Sequence, residues 1–121
     1  MDTKVFSERI ANIIFTKKGY DVKILDLQEL TTIADYFVVC SADSDVQVKA
    51  IADEVDKVLR KNGIKCYHKE GYDALQWILL DYFDVVVHIF HKEAREFYSL
   101  EKLWGDAPVI EMKDPAEDKV E

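Results

Sequence analysis

The eight residues 77–84 hold Trp77, Leu79, Asp81, Tyr82, Phe83 and Asp84, with Glu70, Tyr72 and Asp73 just upstream. Two chemistries fit such a segment. Asp81 and Asp84 flank a short turn, and paired carboxylates are the raw material of glycosidase-type or metal-dependent catalysis. The plainer reading is that both mark strand ends and cap a turn. The second chemistry is recognition. Trp and Tyr supply much of the energy of protein interfaces, and carboxylates around an apolar centre suit a partner carrying Arg or Lys. Its competitor places Trp77 in the domain's own core.

Other candidates are weaker. His88 and His91 are three apart, with His68 elsewhere. On a strand the first two point to opposite faces, and the helical spacing of zinc motifs is missing, so no metal site is expected. His88, inside an apolar run, reads as a hydrogen-bonded core or interface histidine. Cys66 and His68 share a face at i, i+2 in an ordinary alternating run. The four glycines, Gly19, Gly63, Gly71 and Gly105, are too far apart for a phosphate-binding loop. The turn Ser41-Ala42-Asp43-Ser44 opens a helix, but Asp43 and Asp45 would repel a phosphate and instead complement the helix dipole. No nucleophile stands in a recognisable motif, and no cofactor is implied.

The elements that must position these residues are legible from periodicity. Phe6, Ile10, Ile13 and Ile14 make a helical stripe, capped by Asp2 or Thr3 and stopped by Gly19. Strands are expected at Tyr20–Leu27, Tyr36–Cys40, Ile64–Glu70, Trp77–Asp81 and Asp84–Phe90. The runs Tyr36–Cys40 and Val85–Phe90 are apolar throughout, as in central strands buried on both faces. A second helix carries Val48, Ile51, Ala52, Val55, Val58 and Leu59; Ser44 and Gln47 have capping-box spacing, and Asn62-Gly63 ends it. Glu93–Trp104 is expected to form a short helix followed by an aromatic-rich end. The order α-β-β-α-β-β-β-α predicts a single α/β domain over residues 1–112. It has a mixed sheet of about five strands with flanking helices. Residues 113–121 form an acidic tail expected to be disordered.

The 121 residues bound the chain to one domain. Its net charge is −8; the tail's four acids and two lysines account for −2, leaving −6 on the body. Such a surface favours a basic partner and argues against nucleic-acid binding through the bulk field. No signal peptide or membrane-length apolar run is visible, and Cys40 and Cys66 read as reduced thiols, so a cytoplasmic protein is expected.

The segment Asp35-Tyr36-Phe37-Val38-Val39-Cys40-Ser41, then Gln47-Val48 and Ile51-Ala52-Asp53, resembles the ribosomal silencing factor (Iojap-like) family. So do Glu70-Gly71, the run Trp77–Tyr82 with Asp84–Phe90, and Arg95, Tyr98, Leu100-Glu101 and Leu103-Trp104. The spacing matches from about Phe6 to Asp106. The resemblance implies a nucleotidyltransferase-like fold without catalytic residues. It also implies a translation repressor that docks on the large ribosomal subunit through the basic ribosomal protein numbered fourteen. There it would block joining of the small subunit under nutrient limitation, with a homodimer when free. Two family glycines are replaced, by Ala42 before the second helix and by Phe83 in the hairpin turn. Trp77, Leu79 and Asp81 share one strand face, and that face with Glu70, Tyr82 and Asp84 is the expected partner-binding surface. The alternatives are a nucleotidyltransferase-type metal-dependent enzyme and a dimeric scaffold protein.

Overall fold

In a computed structural model describing residues 2–116, six strands form one sheet between two unequal helical layers. The first helix, α1 (Thr3–Thr16), starts where the Asp2 carboxylate accepts the Lys4 amide at 2.9 Å. Strand β1 (Tyr20–Asp26) pairs antiparallel with β2 (Tyr36–Ala42), and a register shift between Tyr20 and Lys23 leaves a bulge where Asp21 takes φ 51°. Helix α2 (Asp45–Lys61) follows, with Ser44 Oγ accepting the Gln47 amide at 3.1 Å. The Gln47 side chain accepts the Asp43 amide and donates to the Lys17 and Lys18 carbonyls, tying the start of α2 to the end of α1.

Strands β3 (His68–Glu70), β4 (Trp77–Asp81) and β5 (Val85–His91) form an antiparallel meander, and β5 returns beside β2 in parallel. Two short helices, α3 (Lys92–Tyr98) and α4 (Leu100–Leu103), and a last strand, β6 (Val109–Glu111), complete the order β3-β4-β5-β2-β1-β6. The expected mixed sheet is present, with six strands rather than about five. The third strand is shorter than Ile64–Glu70, because residues 64–67 only approach the sheet, so Cys66 stands in a connection. The short helix expected within Glu93–Trp104 is α3, and Ser99, with a left-handed φ of 47°, ends it and starts α4.

The two sheet faces differ. Ile78, Leu80, Val85, Val87 and Ile89 face α1 and α2 in the larger core, with Val22, Ile24 and Val38. Leu25, Phe37, Val39, Val86 and Phe90 face the opposite way. That side receives α3, α4 and the connection through Ala34, eleven helical residues in place of thirty-one. Central β2 is buried at all seven positions, as its unbroken apolar run requires. The expected disorder of 113–121 falls largely on residues 117–121, outside the described ones; Asp114, Pro115 and Ala116 lie beside Asn12 and Phe15 of α1. No helix among the described residues is long and apolar enough to cross a membrane.

Candidate functional site

Strand β4 alternates in burial, so Ile78 and Leu80 disappear under the helices while Trp77, Leu79 and Asp81 stand half-buried on the thinly covered face. Register places Glu70 of β3 opposite Leu79, and His68 opposite Asp81. On the other flank Val86, His88 and Phe90 of β5 oppose Asp81, Leu79 and Trp77. The Trp77 indole stacks on Phe90 with centroids 4.8 Å apart and meets Tyr98 of α3 at 4.9 Å. Its Nε1–H donates to His88 Nδ1 at 3.1 Å. His88 is buried, and that burial pushes its pKa down to about 3, so the imidazole is neutral.

The chain reaches this strand through Gly71, where φ is 94° and a Cβ would fall 1.9 Å from the Trp77 carbonyl oxygen. Only a glycine lets the backbone pass so close. The hairpin turn after β4 is fixed by Asp81, whose carboxylate accepts the Phe83 amide at 2.8 Å. Asp81 thus caps the turn and faces outward as well. Phe83 has φ 73°, the left-handed geometry that favours glycine, and its exposed ring packs on Tyr67 at 4.2 Å.

Of the six expected partner-binding residues, the structure brings Glu70, Trp77, Leu79 and Asp81 onto one surface. Asp84 is exposed at the adjoining turn, where its carbonyl accepts the amides of Asp35 and Tyr36. Tyr82 does not join them. It is 8% exposed, packs edge-on against Phe6 of α1, and donates its hydroxyl to Asp56 of α2 at 3.3 Å. The reason is parity: Tyr82 continues the inward series Ile78, Leu80. Burial pushes its pKa up, helped by nearby Cys66 and by the charge of Asp56. Tyr72 likewise turns to the helix side, within reach of Asp53. The aromatic segment therefore splits between the two faces. Sequence reasoning did not foresee that Tyr98, Phe90 and Trp104 gather with Trp77 on the thin side; the aromatic-rich end near Phe97-Tyr98 was the available signal.

His91 does not pair with His88; its Nδ1 accepts the Glu93 amide at the start of α3. Both cysteines are free thiols, and burial drives Cys40 up to about 12. Among the described residues no group of three or more His, Cys, Asp or Glu is placed to hold a metal ion.

One face is sealed by long helices and the other shows a half-buried Trp on a strand face shared with Glu70 and Asp81: this is an open-sheet α/β protein of one domain. The description "Ribosomal silencing factor during starvation" matches residues 2–121, and the chain belongs to that family. It is 47% identical over 96 residues to the ribosomal silencing factor of Bacillus subtilis, covering 79% of this chain and 81% of that one. It is 42% identical over 113 residues to that of Halalkalibacterium halodurans, covering 93% and 97%. A crystal structure of a Chromobacterium violaceum protein superposes with TM-score 0.83 at 34% identity, over 87% of this chain and 88% of that one. The family is regulatory and non-enzymatic, with a translation-related role in ribosome silencing.

Proposed function

We propose that the protein binds the large ribosomal subunit through the basic ribosomal protein numbered fourteen and, seated there, sterically blocks joining of the small subunit when nutrients are limiting. The contact surface is the thin-side face of β4 with its neighbours: Trp77 and Leu79 at the centre, Glu70, Asp81 and Asp84 around them. The observation that carries the reading is the half-exposed Trp77 on a strand face that also carries Glu70 and Asp81, in a chain of net charge −8. A desolvated Trp is the commonest kind of anchor, and surrounding acids steer a basic partner into register. Tyr82 serves the fold beneath this surface and is left out of the contact. The mechanism needs no chemistry, since two bodies cannot fill one volume and affinity for the large subunit becomes inhibition of joining. A homodimer of the free protein belongs to the same reading, and sedimentation equilibrium tests it.

The decisive experiment is co-sedimentation with separated ribosomal subunits. Binding to the large subunit alone is expected. Trp77→Ala should weaken it by about 2 kcal/mol, roughly thirtyfold, and Asp81→Lys should weaken it further at low salt. Retained binding by both folded variants would refute the assignment of this face.

A further inference from the structure

We infer that His88 is a positioning residue for docking: its imidazole holds the Trp77 indole in the orientation that the partner meets. The inference rests on the docking reading above. An indole N–H only donates, so His88 Nδ1, 3.1 Å away, is the acceptor. The neutral ring then carries its proton on Nε2. That nitrogen is buried and has no hydrogen-bond partner among the described residues.

A buried donor without an acceptor weakens a fold. The rest of the strand core is Val85, Val86, Val87, Ile89 and Phe90, and an aliphatic side chain at 88 would suit it better. Stability therefore does not account for a histidine here. An acceptor beneath Trp77 does. Phe90 stacks on the indole and Tyr98 meets it at a tilt of 49°, apolar contacts that tolerate sliding. Among the described residues, His88 supplies the one side-chain hydrogen bond to Trp77, and it is this directional contact that sets the indole's rotation. The imidazole is itself held by Phe37, edge-on at 4.5 Å. A rigid aromatic anchor loses less freedom on binding than one that must first be ordered, so fixing the rotamer adds affinity without adding a contact.

The test compares His88→Leu, which removes the acceptor, with His88→Asn, whose amide oxygen can take the place of Nδ1. Three quantities are read: affinity for purified large subunits, urea stability at pH 7, and the indole N–H resonance of Trp77, assigned with Trp77→Phe. His88→Leu should be at least as stable as the parent, shift the indole resonance, and bind roughly three- to tenfold more weakly, the scale of one neutral hydrogen bond. His88→Asn should be less stable yet bind within about twofold of the parent, so stability and affinity move in opposite orders. In the Trp77→Phe background, which has no indole N–H, His88→Leu should cost no further affinity. Unchanged affinity in His88→Leu, or an equal loss in the Trp77→Phe background, overturns the positioning role while leaving the docking reading in place. Unchanged affinity in Trp77→Phe and Trp77→Ala themselves overturns the docking reading, and this inference with it. Should His88→Leu not fold, His88→Asn decides: a parent-like indole resonance with affinity reduced more than tenfold refutes the role.

Discussion

Arg95→Met should destabilise the protein by about 3 kcal/mol, and the loss should centre on the thin side of the sheet. Arg95 is buried, and its guanidinium donates through Nε and one terminal nitrogen to the two Glu101 oxygens at 3.1 and 3.2 Å. The other terminal nitrogen donates to Ser41 Oγ at 2.9 Å and to the Asp21 carbonyl that the β1 bulge turns inward. One side chain thus ties α3, α4, β1 and β2 together. Removing one partner of a buried pair costs about 3–5 kcal/mol. Glu101 is 28% exposed, so water recovers part of its solvation and the lower figure applies. Burial alone would raise the Glu101 pKa, but the hydrogen bonds and charge of Arg95, then those of Lys23, outweigh it and hold it below 4.5. A lowered carboxylate pKa gives stability that is present above the unfolded value and lost as pH falls through the folded one. The gap between parent and variant should therefore narrow in acid. Urea denaturation at pH 7 and pH 4 measures both effects, and the cycle with Glu101→Met isolates the pair, with a coupling above about 1 kcal/mol expected. A loss under about 1 kcal/mol, or additive single effects, would refute the clamp.

Two further outcomes follow from the site. Gly71→Ala should cost at least about 2 kcal/mol, because its φ of 94° and the Trp77 carbonyl at 1.9 Å from any Cβ leave no room for a methyl group; a urea midpoint equal to the parent's would sink the argument. The lowered pKa of His88 means that the unfolded chain takes up a proton below pH 6.5 that the folded chain refuses until about pH 3. Stability at this residue is complete above 6.5 and falls by up to about 1.4 kcal/mol per pH unit below it. His88→Leu should gain on the parent between pH 6.5 and 5, and parallel stability profiles would contradict a neutral, buried imidazole.

Much of this architecture could be read from single residues. The unbroken runs of β2 and β5 announced central strands, and Ser44 with Gln47 announced the start of α2. Alternation put Trp77, Leu79 and Asp81 on one face, and the same alternation should have placed Tyr82 on the other. Treating 82 as a turn residue hid that its ring continues the inward series and finds Asp56, a partner 26 residues away. Strand β6 escaped notice because three residues after Pro108 carry too little pattern, and their pairing with Lys23, Ile24 and Leu25 is a long-range contact. The break at Ser99 was equally silent: the left-handed residue is a serine, not the glycine or asparagine that usually marks such a cap. The hydrogen bond between Trp77 and His88 spans two strands and depends on register, which composition does not contain.

Register is also what decides which face of β4 stays open. A slip of one residue between β4 and β5 would send Trp77, Leu79 and Asp81 under α1 and α2 and bring Ile78 and Leu80 outward. Ile78 and Leu80 are wholly buried, so that slip would expose two large aliphatic side chains and bury a carboxylate. The Asp81 cap on the Phe83 amide and the close passage of Gly71 past Trp77 hold the two ends of the strand in the same alignment. The long helices thus do more than cover one face. By taking the even-numbered residues of β4 they oblige the odd-numbered ones to face the short helices α3 and α4, which are too small to hide them. The face of β4 left open is the counterpart of the core that is closed.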